Sequence, residues 1–424
     1  MKSRHYKQFN ETVHTFKIEG RLEAVIVEKP NFHKTYVSIT TPLGSIHRGI
    51  LDKQDVHYDV PAGVAHFLEH KIFEQDGMDI SRLFSMHEAQ INAFTEHNRT
   101  TYLFNATNHI IDNIKRLISM VFYPKFSAAG VEKEKNIITE ELNMYLDDPH
   151  YLQYKALLSA MYGDHPIKED ILGTRESIAA IDESVLKHVH AAYYAPERCS
   201  LIIVGDVDAQ TIENALDDTP LPAKTSWRPA PFHASNGADV ETAYIEGSYD
   251  VLTPGLLLGI RRALSNGDAQ TRIKDRLAFS MAIDLMFGSS STLYERLMRE
   301  GLINDSYGLD MTLEKEFGYV LIGSETNNPD ALEDALRHAV KTASQTPISD
   351  EDFERVKRSN VGSFLMSLDS LSYLAHEMSR FVHEGLMFYD VLAIAQSITK
   401  DDLTRALQSI NASHISASIA RMKA

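Results

Sequence analysis

Apolar residues in the first half of the chain recur with two periods, one typical of strands and one typical of helices. Runs rich in β-branched residues at 22–27 and 35–40 flank the turn Lys29-Pro30-Asn31, which predicts a hairpin. Apolar residues spaced by three and four positions predict helices, the last of them capped by Asp182. The other predicted strands are 91–94, 101–105 and 201–204, and the predicted helices are 63–74, 108–122, 131–145 and 184–194. Because strands and helices are interspersed rather than strictly alternating, the pattern favours an α+β fold with sheets and helices in layers.

A proline-rich stretch divides the chain into two halves of similar length. Residues 217–232 contain Pro220, Pro222, Pro229 and Pro231 and no periodic apolar pattern. Proline disfavours both helices and the interior of sheets, so this stretch is predicted to be an interdomain linker. The predicted domains are therefore 1–216 and 233–424.

Short similarities between the halves predict that the second repeats the first. Leu146-Asp147-Asp148-Pro149-His150-Tyr151-Leu152 resembles Leu368-Asp369-Ser370-Leu371-Ser372-Tyr373-Leu374, at an offset of 222 residues. Shorter matches pair 80–84 with 290–294 and 102–108 with 320–327. The alternative is two similar helix starts that arose by coincidence, and we favour two copies of one domain.

The strongest chemical signal is His66-Phe67-Leu68-Glu69-His70. On a helix, positions i and i+4 lie on the same face, so His66 and His70 can present two imidazoles to one metal ion. Glu69 lies beside a ligand without being one, near enough to act as a base on a metal-activated water. The motif therefore predicts metal-assisted hydrolysis, although a pattern this short is only suggestive when taken alone.

The predicted helix 131–145 offers a third ligand. Catalytic zinc usually takes three protein ligands and one water. Glu134 and Glu141 lie two turns apart and share a face, whereas Glu140 is rotated by about 100° from Glu141. We expect Glu141 to complete the site and Glu134 to orient a histidine. The alternative is a solvated charged face with no part in metal binding.

With its surroundings, the motif resembles the pitrilysin/insulinase peptidases, the inverted zincins. Lys71 and Glu140-Glu141-Leu142-Asn143-Met144-Tyr145 are most similar to the bacterial YmfH-like members. The resemblance runs over nearly the whole chain. The other matching stretches are Gly63-Val64-Ala65, Ile72-Phe73-Glu74, Asn92-Ala93-Phe94-Thr95, the Glu134 and Glu141 pair, and Asp170-Ile171-Leu172-Gly173-Thr174.

The resemblance implies a fold, a cofactor and a set of roles. The fold is that of mitochondrial processing peptidase and the LuxS-like metallohydrolases, with two homologous domains closing around a chamber. Zn²⁺ is expected to be held by His66, His70 and Glu141, with Glu69 as the catalytic base and Glu134 as a supporting carboxylate. Substrate is expected to add as a strand at an edge formed by Asn92, Ala93 and Phe94.

One departure from the family pattern concerns the second domain. Related peptidases carry an Arg and a Tyr there that approach the substrate, whereas this chain has Thr292 and Asn304 at those places. Tyr307 is a possible substitute, and Ser363 stands at the repeat position of Glu141. We therefore predict a heterodimer with a homologous subunit that bears the Arg and Tyr, and regard a homodimer as less favoured. A non-catalytic peptide-binding or scaffold subunit is the alternative, but it would not need intact His66, Glu69, His70 and Glu141.

Composition excludes several other functions. The chain has 42 basic and 59 acidic residues, a net charge of −17, and no basic stripe that could bind nucleic acid. It has no apolar run of 18 residues and no signal-peptide pattern, which predicts a cytoplasmic protein without a membrane span. The single cysteine, Cys199, gives neither a disulfide nor a thiolate metal site. The expected function is a zinc metalloendopeptidase acting on peptides or short unfolded chains, with its natural substrate left open.

Overall fold

A computed structural model describes residues 1–75, 77–232, 237–263, 265, 267–343, 345 and 347–423. The strands are β1 (Lys2–Tyr6), β2 (Glu11–Ile18), β3 (Leu22–Glu28), β4 (Thr35–Thr41), β5 (Gly49–Leu51), β6 (His57–Asp59), β7 (Glu74–Gln75), β8 (Met78–Asp79), β9 (Ala89–Thr95), β10 (Thr100–Ala106), β11 (Ser200–Gly205), β12 (Arg228–Pro229), β13 (Tyr244–Tyr249), β14 (Gly255–Arg261), β15 (Gly308–Leu313), β16 (Gly318–Glu325) and β17 (Ile415–Met422). The α-helices are α1 (Val64–Phe73), α2 (Ser81–Ser85), α3 (Ile110–Phe122), α4 (Ala128–Leu146), α5 (Pro149–Tyr162), α6 (Arg175–Ala179), α7 (Glu183–Tyr193), α8 (Ala209–Leu216), α9 (Ala269–Phe287), α10 (Thr292–Arg299), α11 (Pro329–Ala343), α12 (Asp350–Ser367), α13 (Leu371–Phe381), α14 (Asp390–Ser397) and α15 (Lys400–Gln408).

The predicted strands and helices of the first half are all confirmed. Their ends differ from the predicted ones by at most three residues. Asp182 caps α7 as predicted, because its side chain accepts a hydrogen bond from the Val185 amide at 2.8 Å. The mixed helix-and-sheet fold predicted from the interspersed pattern is confirmed as well.

The predicted hairpin between 22–27 and 35–40 is wrong. β11 lies between β3 and β4, parallel to β3 and antiparallel to β4. Every residue of β11 is buried, and a strand that is apolar on both faces is best removed from water in the middle of a sheet. The amide of Lys29 donates to the Gly205 carbonyl at 2.8 Å, so the turn after β3 is bonded to the end of the inserted strand.

Five strands of the first sheet, β3-β11-β4-β10-β9, have the same topology as the whole of the second, which agrees with the predicted duplication. One has the order β1-β2-β3-β11-β4-β10-β9 and the other β13-β17-β14-β16-β15. In each, one pair is parallel at the same place, β3 with β11 and β13 with β17. Helices α12 and α13 begin at Asp350 and Leu371, 222 residues after α4 at Ala128 and α5 at Pro149.

The chain forms two compact units, each assembled from three segments. The first comprises Met1–Leu142, Glu169–His233 and Ser367–Tyr389, and the second comprises Asn143–Lys168, Ala234–Met366 and Asp390–Ala424. The predicted domains 1–216 and 233–424 are continuous in sequence and stay a prediction, and residues 233–236 lie outside the described residues. The predicted linker, 217–232, belongs to the first unit and contains β12, which pairs with β5.

Each unit takes one helix from the other half of the chain. In the first unit, α13 packs on β11 and β4, and in the second, α5 packs on β17 and β14. Leu374 of α13 and Leu157 of α5 are fully buried. A Cβ at Gly259 of β14 would lie 2.3 Å from Sδ of Met161, so this glycine lets α5 approach the sheet. The core of each unit therefore depends on residues from both sequence repeats.

A buried ion pair is hydrogen-bonded to both ends of Ser367–Tyr389, the segment of the first unit that comes from the second half of the chain. Lys29 is buried, pairs with Glu11 and donates to the Leu368 carbonyl at 2.8 Å. The hydroxyl of Tyr389 donates to the other carboxylate oxygen of Glu11. Burial raises the pKa of Tyr389, so the hydroxyl keeps its proton and remains a donor. Because a buried charge is costly without partners, these contacts favour one position of the segment.

Among the described residues, no helix has the length and apolar character needed to cross a membrane. The cytoplasmic location expected from the sequence stays a prediction. Cys199 is buried, and burial raises the pKa of its thiol to about 12, as expected for an unreactive core residue.

Candidate metal centre

Helix α1 begins where two loops meet backbone to backbone. Gly63 precedes the helix in the left-handed region, at φ 84°, and Gly173 has φ 86°. A Cβ at Gly63 would lie 2.2 Å from the Leu172 carbonyl oxygen, and one at Gly173 would lie 2.6 Å from that of Ala62. Only glycine fits this contact without strain. The stretch 170–174 therefore fixes the start of the helix that carries the histidines.

The structure brings His66, His70 and Glu141 together. Nε2 of His66 lies 3.8 Å from Oε1 of Glu141, and Nε2 of His70 lies 3.5 Å from Oε2. One ligand atom from each of the three residues lies within 4.8 Å of the others. A tetrahedral zinc with bonds of 2.0–2.1 Å separates its ligand atoms by about 3.4 Å. The three side chains thus need only small adjustments to hold one Zn²⁺ and leave a fourth position open, while their role as ligands stays a prediction.

Glu134 lies behind His70. Its Oε1 is 3.0 Å from Nδ1 of His70, and its side chain is buried. With the proton on Nδ1, the imidazole donates to Glu134 and leaves the Nε2 lone pair facing Glu141. Glu134 and Glu141 lie on the same face of α4, as their spacing predicts. The position of Glu134 would let it orient His70, and its supporting role stays a prediction.

Glu69 is half-buried and faces the edge strand of the sheet. The hydroxyl of Thr95, at the end of β9, donates to its Oε2 at 2.6 Å. Burial raises the pKa of Glu69, and the hydrogen bond from Thr95 opposes that rise only in part. A raised pKa suits a carboxylate that must take up a proton and later release it. Thr95 belongs to the stretch Asn92-Ala93-Phe94-Thr95, but its contact with Glu69 was not predictable, because no spacing rule connects a strand end to a helix.

His66 is held differently from His70. Burial lowers its pKa to about 3, and the charge of nearby Asp170 only partly offsets this. The ring is therefore neutral at ordinary pH, the form that binds a metal ion. Its Nδ1 is buried and has no hydrogen-bond partner among the described residues. Asp170, also buried, is a charged neighbour of the site to which the sequence analysis gave no role.

Protons should compete with zinc mainly at His70. Burial alone would lower its pKa, but the hydrogen bond to Glu134 and the charges of Glu134, Glu141 and Glu69 together raise it. We therefore expect zinc affinity to be constant above this raised pKa and to fall roughly tenfold per pH unit below it. Competition titrations with a chelator, from about pH 5.5 to about pH 8, would measure how zinc affinity depends on pH. Histidine ordinarily titrates within this range.

Glu134→Gln is the matched control for that titration. The amide still accepts from Nδ1 but carries no charge, so the decline should begin at lower pH, and affinity at high pH should drop about 10–100-fold. An onset at the same pH in the variant would show that Glu134 does not set the pKa of His70.

Asn92, Ala93 and Phe94 lie on β9, the last strand of the first sheet. β9 pairs with β10 on one side only among the described residues. The amide of Ala93 is 2.9 Å from Oδ1 of the exposed Asn92, so the Asn92 side chain satisfies an amide that an added strand could use. The Phe94 ring packs on His376 of α13, with centroids 5.8 Å apart. The edge position is as expected, and substrate binding there stays a prediction.

The possible substitute Tyr307 is already engaged within the second unit. Its hydroxyl donates to the Phe287 carbonyl at 2.8 Å, and burial raises its pKa. Thr292 is the first residue of α10, and Nδ2 of the Asn304 side chain donates to the Glu325 carbonyl at 3.1 Å. None of these three residues carries the positive charge that an arginine would supply.

Comparison with known proteins agrees with the site geometry. Residues 52–175 match the model of the insulinase family (peptidase family M16), and residues 180–360 match that of the peptidase M16 inactive domain. The uncharacterized zinc protease YmfH of Bacillus subtilis is 33% identical over 409 residues, with 95% of each chain covered.

Two solved structures share the fold. A putative M16-like peptidase from Alicyclobacillus acidocaldarius is 29% identical, with a TM-score of 0.91 over 97% of this chain and 98% of its own. The periplasmic protease PqqL from Escherichia coli is 16% identical, with a TM-score of 0.76 over 97% of this chain but only 48% of its own.

Proposed function

The chain belongs to the insulinase family of peptidases (M16), and we propose from that premise that it is a zinc-dependent endopeptidase acting on peptides or short unfolded chains. The observation that carries the proposal is the convergence of His66, His70 and Glu141, two imidazoles and one carboxylate, within 4.8 Å. This donor set suits Zn²⁺ and leaves a coordination position for catalysis. Relatives that bear the name zinc protease support the same chemistry.

The chain's own residues account for the proton transfers. A zinc ion bound by this triad would polarise the scissile carbonyl and acidify a water molecule. Glu69, next to His70 on α1, takes the proton of the attacking water and delivers it to the leaving amine. The Thr95 hydroxyl holds one Glu69 oxygen at 2.6 Å and so leaves the other free to face the reacting atoms. Glu134 keeps the His70 ring oriented through Nδ1.

Substrate recognition is proposed to use the backbone of β9. An extended peptide that pairs with this edge would displace the Asn92 side chain from the Ala93 amide. Thr95 ends the same strand and contacts the proposed base, so a peptide paired along β9 runs toward Glu69. Pairing through main-chain groups accepts many side chains, which is consistent with a broad peptide substrate class.

We further propose that a homologous subunit supplies the missing arginine and tyrosine. Thr292 and Asn304 stand in their places, and the hydroxyl of Tyr307 is bonded to Phe287. PqqL, about half of which this chain covers, is an example of a longer chain that contains this fold. A scaffold subunit that binds peptide without cutting it is the second candidate, favoured by the match of residues 180–360 to the inactive domain.

One experiment separates these functions. The purified chain should contain about one zinc, and a quenched peptide should be cleaved only when a co-purified homologous subunit is present, and not after chelation. Cleavage by the chain alone at a rate that no partner changes would refute the heterodimer. Zinc content without cleavage under either condition would favour the scaffold.

A further inference from the structure

A second group of metal-binding side chains lies at the far end of the edge strand. His87 precedes β9 in the turn after α2, His109 immediately precedes α3, and Asp112 lies in the first turn of that helix. One ligand atom from each lies within 4.8 Å of the others, close enough for all three to contact one ion. Along β9, roughly 20 Å separates this group from Thr95 and the proposed catalytic base. The two groups are therefore distinct sites.

Hydrogen bonds from neighbouring side chains connect the two segments that carry these residues. The Asn108 side chain donates to Glu88 at 2.7 Å, and the buried Asn113 donates to the His87 carbonyl at 3.2 Å. These bonds join the turn before β9 to the start of α3. Arg116, the nearby cation on α3, donates from its guanidinium to Oδ1 of Asn113 at 2.6 Å and packs over the Phe84 ring. The donors thus lie on segments that are bonded to each other.

In the part of the chain that the structure describes, these donor atoms lack strong partners. Nδ1 of His87 is buried and has no hydrogen-bond partner among the described residues. The rings of His87 and His109 meet edge to face with centroids 5.2 Å apart, and Nδ1 of His109 is 3.9 Å from the Asp112 carboxylate. A buried polar atom without a partner is costly, and a shared cation would satisfy all three groups.

His109 also occupies an unusual backbone conformation. It has φ 54° and ψ 33°, the left-handed region that side chains other than glycine seldom adopt, and its side chain does not cap α3. Such strain is maintained only where the surrounding structure requires it, and it is common at binding sites. The strained residue here is the one that directs an imidazole toward His87 and Asp112.

We propose that His87, His109 and Asp112 form a second site for a divalent transition metal of the zinc class. Two imidazoles and one carboxylate select Zn²⁺, Cu²⁺ or Ni²⁺ over Mg²⁺ and Ca²⁺, which prefer oxygen ligands. His109 and Asp112 are about half exposed, and the positive end of the α3 dipole opposes a cation, so this site is weaker than the first. Bound metal would join the start of β9 to the start of α3.

Calorimetric titration of the metal-free chain with Zn²⁺ tests the site. Wild type should show two binding events whose dissociation constants differ by at least about tenfold. His66→Ala should lose the tight event and keep the weak one, whereas His109→Gly should lose the weak event and keep the tight one. Glycine suits the positive φ at position 109, so this variant should melt no lower than wild type without metal.

Asp112→Asn should weaken the weak binding event, because it removes the carboxylate charge. His33 is exposed and lies outside both groups, so His33→Ala is the matched control and should change neither binding event. Excess Mg²⁺ should not compete at either site. A single binding event in wild type, or a weak event that persists in His109→Gly, would overturn the proposal and leave the two histidines as a ring contact only. Because the tight event is read separately, either result leaves the proposed peptidase function untouched.

Discussion

Glu69→Gln is expected to bind zinc as wild type does and to lose peptide hydrolysis by about 10²–10⁴-fold. The amide has the shape of the carboxylate and still accepts the hydrogen bond from the Thr95 hydroxyl, so the geometry around His70 should be preserved. It cannot take up the proton of the attacking water. The measurement is kcat/KM on a quenched peptide together with zinc content per chain, made in the presence of the partner subunit.

His66→Ala is the matched control for that loss. It removes a ligand, so it should lose zinc and activity together, whereas Glu69→Gln should separate the two. Thr95→Val, which removes only the hydrogen bond to Glu69, should keep zinc and show a smaller drop in activity than Glu69→Gln. Full activity in Glu69→Gln would refute the assignment of Glu69 as the base.

Leu374→Ala is expected to destabilise the first compact unit, although Leu374 lies in the second half of the sequence. Leu157→Ala is expected to destabilise the second unit, although Leu157 lies in the first half. Both leucines are fully buried, and removing a buried leucine side chain costs about 2–5 kcal/mol. Leu374 is in α13, which covers β11 and β4, and Leu157 is in α5, which covers β17 and β14. Native-state hydrogen exchange can locate the loss, because local stability controls the exposure of strand amides.

The expected pattern is crossed. Leu374→Ala should speed exchange in β11 and β4, and Leu157→Ala should do so in β17 and β14. Ser372→Ala, at an exposed position on α13, should leave both sheets unchanged. Faster exchange in β17 and β14 after Leu374→Ala, with β11 unaffected, would show that each half of the chain packs on itself.

The arrangement of the candidate ligands within each helix was predictable because helical geometry is local. A spacing of four places His66 over His70, and a spacing of seven keeps Glu134 and Glu141 on one face, whatever the rest of the chain does. The residue spacing within α1 and within α4 did not indicate that these two helices would lie next to each other. The resemblance to the pitrilysin/insulinase peptidases supplied that expectation, and the observed distances of 3.5 and 3.8 Å agree with it.

The long-range features could not be read from periodicity. The turn at Lys29-Pro30-Asn31 predicts a hairpin, but the choice between β4 and β11 as the neighbour of β3 depends on which strand buries more apolar surface. Nothing in the sequences of α5 and α13 indicates which sheet these helices cover. The hydrogen bond from Thr95 to Glu69 and the position of the Asp170 charge near His66 likewise depend on tertiary packing, and no local pattern indicates them.

The borrowed helices have a consequence for proteolysis. A single cut anywhere within 217–232 would leave 143–168 on the amino-terminal fragment and 367–389 on the carboxy-terminal one, and each compact unit needs the piece carried by the other fragment. The nicked protein should therefore run as two bands under denaturing conditions and as one species on a sizing column. The two fragments should separate only when α13 or α5 dissociates from the sheet that it covers. The cleavage of one peptide bond therefore does not release an independently folded half.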